Sequence, residues 1–217
     1  MRTYLAPLGF DSRRVVRPVL SEGIDEDDEV VLFQPSDNSE RGQETLDEVR
    51  EVLTQVVPNL SLENRQLPYT DFVETTLACA EQILAAEGET IVVLGGGARE
   101  ILLPLTVATF STTHSIDTVL QVGDIDGSVR RVPKLTLSGD VSPGESDFLQ
   151  AIAELPLPLS ISEIAEEVGK SKSTVARHVK RLEAAHLVRA RKDGRNKDVE
   201  VTDSGRVYLA THRRSPL

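Results

Sequence analysis

Residues Ser160-Ile161-Ser162-Glu163-Ile164-Ala165-Glu166-Glu167-Val168-Gly169-Lys170-Ser171-Lys172-Ser173-Thr174-Val175-Ala176-Arg177-His178-Val179-Lys180-Arg181-Leu182 read as two helices joined by a tight turn. Ser160 and Glu163 have capping-box spacing, in which hydroxyl and carboxylate satisfy open amides at a helix start. Ile161, Ile164, Ala165 and Val168 follow at i, i+3, i+4 and i+7, a single apolar face that Gly169 ends. Ser171 opens the second helix. There Val175, Val179 and Leu182 face inward, and Lys172, Ser173, Thr174, Arg177, His178 and Arg181 are expected to face out. A short pair with a basic outer face on its second member is the helix-turn-helix pattern.

Working outward, Ser146 to Leu155 is predicted as a preceding helix. After the pair, residues 188–192 and 195–201 alternate on either side of Asp193-Gly194, the signature of a hairpin. Its tip is basic. Thr202-Asp203-Ser204-Gly205-Arg206 opens a last helix. The order resembles the MarR/ArsR-like winged-helix family over about 70 residues, including its Leu-Val…Asp-Gly-Arg…Val-Thr-x-x-Gly tail.

Charge agrees with the pattern. Residues 1–140 carry 24 acidic and 11 basic side chains, a net of −13. Residues 170–197 carry ten Lys or Arg against Glu183 and Asp193, a net of +8. An acidic chain with one compact basic segment concentrates its affinity for polyanions there. Ser171, Ser173 and Thr174 are small enough to approach bases. Arg177, His178 and Arg181 can meet base edges or phosphates. Lys172, Arg191, Lys192, Arg195 and Lys197 are expected on phosphates. The expected partner is double-stranded DNA; the alternative reading is a protein-binding winged helix. The acidic excess, with 18 Arg against 6 Lys, fits either a salty cytoplasm or an ordinary acidic protein.

Residues 1–138 alternate strands and helices. Strands are predicted at Arg2 to Leu8, Val30 to Phe33, Leu60 to Leu67, Thr90 to Leu94, Thr118 to Val122 and Ser128 to Leu137. Glu40 to Val57 and Asp71 to Glu87 have helical spacing. The order βαβαβαβαββ argues for an α/β domain with a mainly parallel sheet and an antiparallel closing pair. Residues 139–145 are expected to link it to 146–217, being rich in Ser, Gly and Pro.

Leu94-Gly95-Gly96-Gly97-Ala98-Arg99 closes the strongest strand. Ligands of open α/β sheets bind at strand C-termini, and glycines followed by a helix start admit an anion. The bland reading is a tight turn with Arg99 on the surface. Gly9, Phe10 and Ser12 close the first strand, and Gln34-Pro35 the second, so three strand ends meet on one rim. Arg17, separated from Phe10 by six residues, reads equally as a surface ion pair or a ligand contact. A dinucleotide fingerprint fits less well, because Glu100 stands where its third glycine belongs.

Together, a Gly-Phe-x6-Arg element after strand one, a Gly-rich turn with Arg after strand four and a C-terminal winged helix resemble the archaeal CRISPR-associated transcriptional regulators. These join a CARF domain, a Rossmann-like variant, to a DNA-binding domain. The resemblance implies a homodimer that binds a cyclic oligoadenylate, tetra-adenylate foremost, across its two-fold axis. It implies Gly9, Phe10, Ser12, Gln34, Pro35, Gly95, Gly96, Gly97, Ala98 and Arg99 as the pocket, and CRISPR-associated promoters or CRISPR leaders as targets. Two competing readings are a regulator sensing NAD(P)H and a CARF protein with slow ring-nuclease activity. No catalytic residue, cofactor or metal is expected, because Cys79 is the only cysteine and the four histidines are scattered. No apolar run reaches the roughly 18 residues of a membrane span, and no signal peptide opens the chain, so a cytoplasmic location is expected.

Overall fold

Strand β1 (Arg2–Pro7) is buried from Thr3 onward, because both faces of its sheet are covered. That is why it reads as an unbroken apolar run rather than an alternating one. The computed structural model describes residues 1–37, 39–136, 141–193 and 196–212, the side chains of 192, 193 and 196 excepted. Around β1 lie β2 (Glu29–Pro35), β3 (Ser61–Leu67), β4 (Glu89–Leu94) and β5 (Thr118–Val122), all parallel, with β6 (Val129–Arg131) antiparallel at the edge. The strand order is β3-β2-β1-β4-β5-β6.

Successive side chains of each strand point to opposite faces and bury separate cores. Tyr4, Ala6, Leu32 and Val93 pack under α1 (Arg13–Glu22) and α2 (Glu40–Val56), which contribute Val15, Val19, Leu46, Val49 and Leu53. Leu5, Val31, Phe33 and Val92 pack under α3 (Phe72–Ala85) and α4 (Arg99–Ser111), through Cys79, Ile83, Ile101, Leu105 and Ala108. Asp71 caps α3, its carboxylate accepting from the amides of Val73 and Glu74 at 2.8 and 3.0 Å. Burial pushes the Cys79 thiol up to about 12, which keeps it protonated and unreactive.

Pro104 lies inside α4 and is buried, and the helix runs on through it. Two details differ from expectation. β6 is shorter than the predicted 128–137, because Pro133 cannot donate to a ladder and the strand stops before it. α5 (Pro143–Ala153) starts three residues earlier than predicted. Ser142, read as linker, is its N-cap, and its amide donates to Glu145 Oε2 at 3.0 Å.

The chain divides into two compact units, Met1–Lys134 and Leu135–Leu217. In the second, α5 is followed by β7 (Leu159–Ser160), α6 (Ile161–Glu167), α7 (Lys172–Ala184), β8 (Val188–Asp193), β9 (Asn196–Val201) and α8 (Asp203–Thr211). The three strands pair antiparallel in the order β7-β9-β8. Phe148, Leu149, Ile152, Ile164, Val175, Val179, Leu182 and Val199 form its core. The apolar faces read from α6 and α7 are the faces that are buried.

Candidate functional site

Between β1 and β4 the strand order reverses, the point where open α/β sheets leave a crevice at their C-terminal edge. Two loops meet there. A Cβ on Gly9 would come within 2.7 Å of the Gly97 nitrogen, so the loops touch backbone to backbone. Gly96 and Gly97 adopt φ of +78° and +76°, which L side chains rarely take. Expectation held that these glycines leave room for a ligand. Instead their open sides are filled by the protein itself: Gly95 faces Val122, Gly96 faces the Arg14 stem and Gly97 faces Pro7. The glycines permit the turn; the groups that can meet a ligand are those the turn presents.

Those groups are polar and cationic. Ala98 is the N-cap of α4 and offers no oxygen to the first amides of that helix. Ser12 is the N-cap of α1, yet its hydroxyl makes no capping hydrogen bond. Arg99, the first residue of α4, is exposed. α2 and α3, by contrast, are capped by Ser39 and Asp71. Arg13 and Arg14 open α1 but are engaged by carboxylates: Arg13 Nε lies 2.8 Å from Asp11, and Arg14 Nη1 lies 2.7 Å from Asp124. Arg17 enters no ion pair among the described residues; its Nη1 donates to the Gly127 carbonyl at 3.4 Å.

Phe10 projects from the β1 loop, 59% exposed, beneath the guanidinium of Arg41. Gln34 departs from the expected pocket. It is buried, its Nε2 donates to the Gly42 carbonyl at 2.9 Å, and its Oε1 accepts from Asn64 Nδ2 at 2.9 Å. It fastens β2 to α2 and β3. Pro35 ends β2 in register with Leu67. The rim thus brings together Gly9, Phe10, Ser12 and residues 95–99, with Gln34 below it.

In the second unit, Ser171 caps α7, accepting from the Thr174 amide at 3.2 Å, and its hydroxyl lies 3.0 Å from that of Ser173. Lys172, Ser173, Arg177 and Arg191 are exposed, and Thr174 is half-buried. His178 departs from the outward face expected of it, whereas Arg181 is exposed as expected but carries an ion pair. His178 stacks on Phe148, ring centroids 4.9 Å apart, and its buried Nδ1 has no partner. Burial holds its pKa below the usual value, with Arg177 as the next cause. Arg181 is drawn to Glu145 of α5, Nη1 to Oε1 at 2.8 Å. That hydrogen bond, with those to Ser142, lowers the Glu145 carboxyl to about 2. Lys197 turns to Glu183, 3.0 Å away, where the Ala190 amide also donates. The Lys192 side chain and all of Arg195 lie outside the described residues. Lys180, absent from the expected set, is exposed on the stripe of Ser173 and Arg177 at i, i+4 and i+7. That spacing is readable in the sequence.

A family model described as the Csa3 CRISPR-associated Rossmann-like domain matches residues 2–129. The chain belongs to that family. A second model, HVO_A0114, matches residues 141–205. No curated protein matches the chain. Among solved structures, Can2 from Sulfobacillus thermosulfidooxidans, in complex with cyclic tetra-adenylate, is similar at 19% identity and a TM-score of 0.44, over 60% of this chain and 37% of its own. Enterococcus italicus Csm6, bound to cyclic hexa-2'-fluoro-hexa-dAMP, is similar at 12% identity and a TM-score of 0.49, over 86% and 52%. A mutant of S. aureus MepR is similar at 22% identity and a TM-score of 0.30, over 33% and 55%. The chain thus spans about half of the MepR chain and little over a third of the Can2 chain.

Arg41 is a rim residue absent from the expected pocket. Its signal in the Csa3-family domain is weak: a cation in the first turn of a helix, where the dipole disfavours it.

Gly97→Ala puts a Cβ 2.6 Å from Pro7 Cβ at a positive φ. It is expected to cost about 2 kcal/mol or more in denaturant unfolding. Gly144→Ala, with nothing within 4 Å, is the control and should change stability by less than about 0.5 kcal/mol. Because the His178 pKa is lowered in the folded state, its stabilisation is full above the ordinary imidazole pKa and is lost as pH falls through the folded value. His178→Phe keeps the stack without the titration. The variant's melting temperature should gain on wild type between about pH 7.5 and about pH 5. Parallel curves would contradict this.

Proposed function

We propose that the chain is a ligand-gated DNA-binding transcription regulator of CRISPR-associated genes or CRISPR loci. Its Csa3-family domain senses a cyclic oligoadenylate, cyclic tetra-adenylate foremost, and its C-terminal unit is a winged helix-turn-helix acting on duplex DNA. It works as a homodimer in the cytoplasm of an archaeon.

The observation that carries the sensing half is the rim at the β1/β4 switch point. Two helices without side-chain caps, the unspent Ser12 hydroxyl and exposed Arg99 gather anion-holding groups in a domain of strong negative charge. A phosphodiester ring repeats the anion such groups hold. The regulator half is supported by the exposed Lys172, Ser173, Arg177 and Lys180 on α7, followed by a hairpin that carries Arg189 and Arg191. In such a unit α7 would enter the major groove, with the hairpin beside the backbone. A dimer is supported by exposed Phe72, Val73, Leu77 and Leu84 on α3 and Leu103 and Val107 on α4, an apolar surface suited to a second copy. A symmetric ligand and a symmetric operator both suit a two-fold protein. Ligand gates DNA binding to the extent that it prefers one dimer arrangement over another.

Thermal unfolding of the full chain with a panel of nucleotides tests the sensing half. Cyclic tetra-adenylate at low micromolar concentration should raise the melting temperature, by about 2.7 kcal/mol of added stability at a hundredfold excess over Kd. Arg99→Ala should remove most of that shift and leave DNA binding intact. A shift with NADH or NADPH and none with the ring would overturn the ligand assignment.

A further inference from the structure

Phe10 and Arg41 are not used by the anion-holding groups, yet both stand on the same rim. Phe10 follows Gly9, the residue in backbone contact with the glycine turn. It is 59% exposed even though the Arg41 guanidinium covers it, its central carbon 4.8 Å from the ring centroid. The remaining exposure therefore belongs to the ring's other face and edge. Among the described residues the Arg41 guanidinium enters no ion pair, and it lies over the Phe10 ring.

An aromatic ring left in water with a cation on one face is a poor arrangement for folding alone. It is a good one for stacking. The guanidinium holds the ring by attraction to its negative π-face, and the opposite face stays open. A nucleobase is a flat partner for such a face, and a purine, with the larger π-surface, stacks more strongly than a pyrimidine does.

We infer that Phe10 and Arg41 form the base-reading element of the sensor site: Phe10 stacks on a purine of the ligand, and Arg41 is the positioning residue that backs the ring. The inference rests on the reading of the rim as an oligonucleotide sensor and adds selectivity to it. Ser12, the opening amides of α4 and Arg99 hold phosphates and do not distinguish bases. Phe10 with Arg41 supplies the distinction.

The test measures affinities of cyclic tetra-adenylate and cyclic tetra-uridylate for the full chain by calorimetry, and takes their ratio. Wild type should prefer the adenine ring. Phe10→Leu should weaken that ring by roughly fivefold to a hundredfold and bring the ratio toward one. Phe10→Tyr should preserve the ratio. Arg41→Gln should lower it in the same direction, by less, whereas Arg99→Ala should weaken both rings alike. Both sites are exposed, so unliganded melting temperatures should stay at the wild-type value; a merely structural role would move them and leave the ratio alone. The inference is overturned if Phe10→Leu keeps the wild-type preference, or if Arg41→Gln leaves both affinities unchanged. If wild type binds neither ring, the sensor reading itself fails and the inference falls with it.

Discussion

The contact of Gly9 with Gly97 is the constraint on which the rim of the N-terminal unit depends. Two loops that leave neighbouring parallel strands meet there with no side chain between them. A Cβ at either position has no space: Gly9 would strike the Gly97 backbone and Gly97 would strike Pro7. The close approach brings the starts of α1 and α4 to one crevice, where Ser12 and Arg99 stand at the positive ends of their helices. Spread the loops by one methyl group and the two helix starts no longer meet at one crevice, although the strands below could still pair.

Much of this was legible in residues. Continuous apolar runs marked β1, β2 and β4, because strands covered on both faces have no polar side. The three glycines with Arg99 marked the rim, and Ser160 with Glu163 marked α6. What escaped was the distinction between a glycine that makes space for a ligand and one that makes space for its own chain. Pattern alone does not separate the two, since either demands a missing Cβ. Gln34 escaped for a related reason. Its position at a strand end suggests a ligand contact, and only the packing of α2 shows its amide spent on the Gly42 carbonyl. Arg181 and Lys197 count as positive charges in sequence, whereas in space each is held by a glutamate.

That last point narrows the basic surface of the C-terminal unit. With His178 stacked on Phe148 and the exposed Arg181 and Lys197 each paired with a glutamate, the exposed polar α7 side chains with no ion pair among the described residues are Lys172, Ser173, Arg177 and Lys180. On the proposed DNA-binding role, fewer unpaired cations would release fewer counterions, hence a shallower salt dependence than the +8 count of residues 170–197 suggests. The Glu145–Arg181 pair instead ties the start of α5 to α7. It orients the helix rather than charging it.

The central claim is that occupancy of the rim and DNA binding are coupled. The direct measurement is anisotropy of a labelled duplex carrying a CRISPR-associated promoter, titrated with the chain in the absence and presence of saturating cyclic tetra-adenylate at one fixed salt concentration. The account predicts a change in apparent DNA affinity of roughly fivefold or more, with the reciprocal change in ring affinity when DNA is saturating. Superimposable DNA titrations, with the ring shown to be bound, would contradict it.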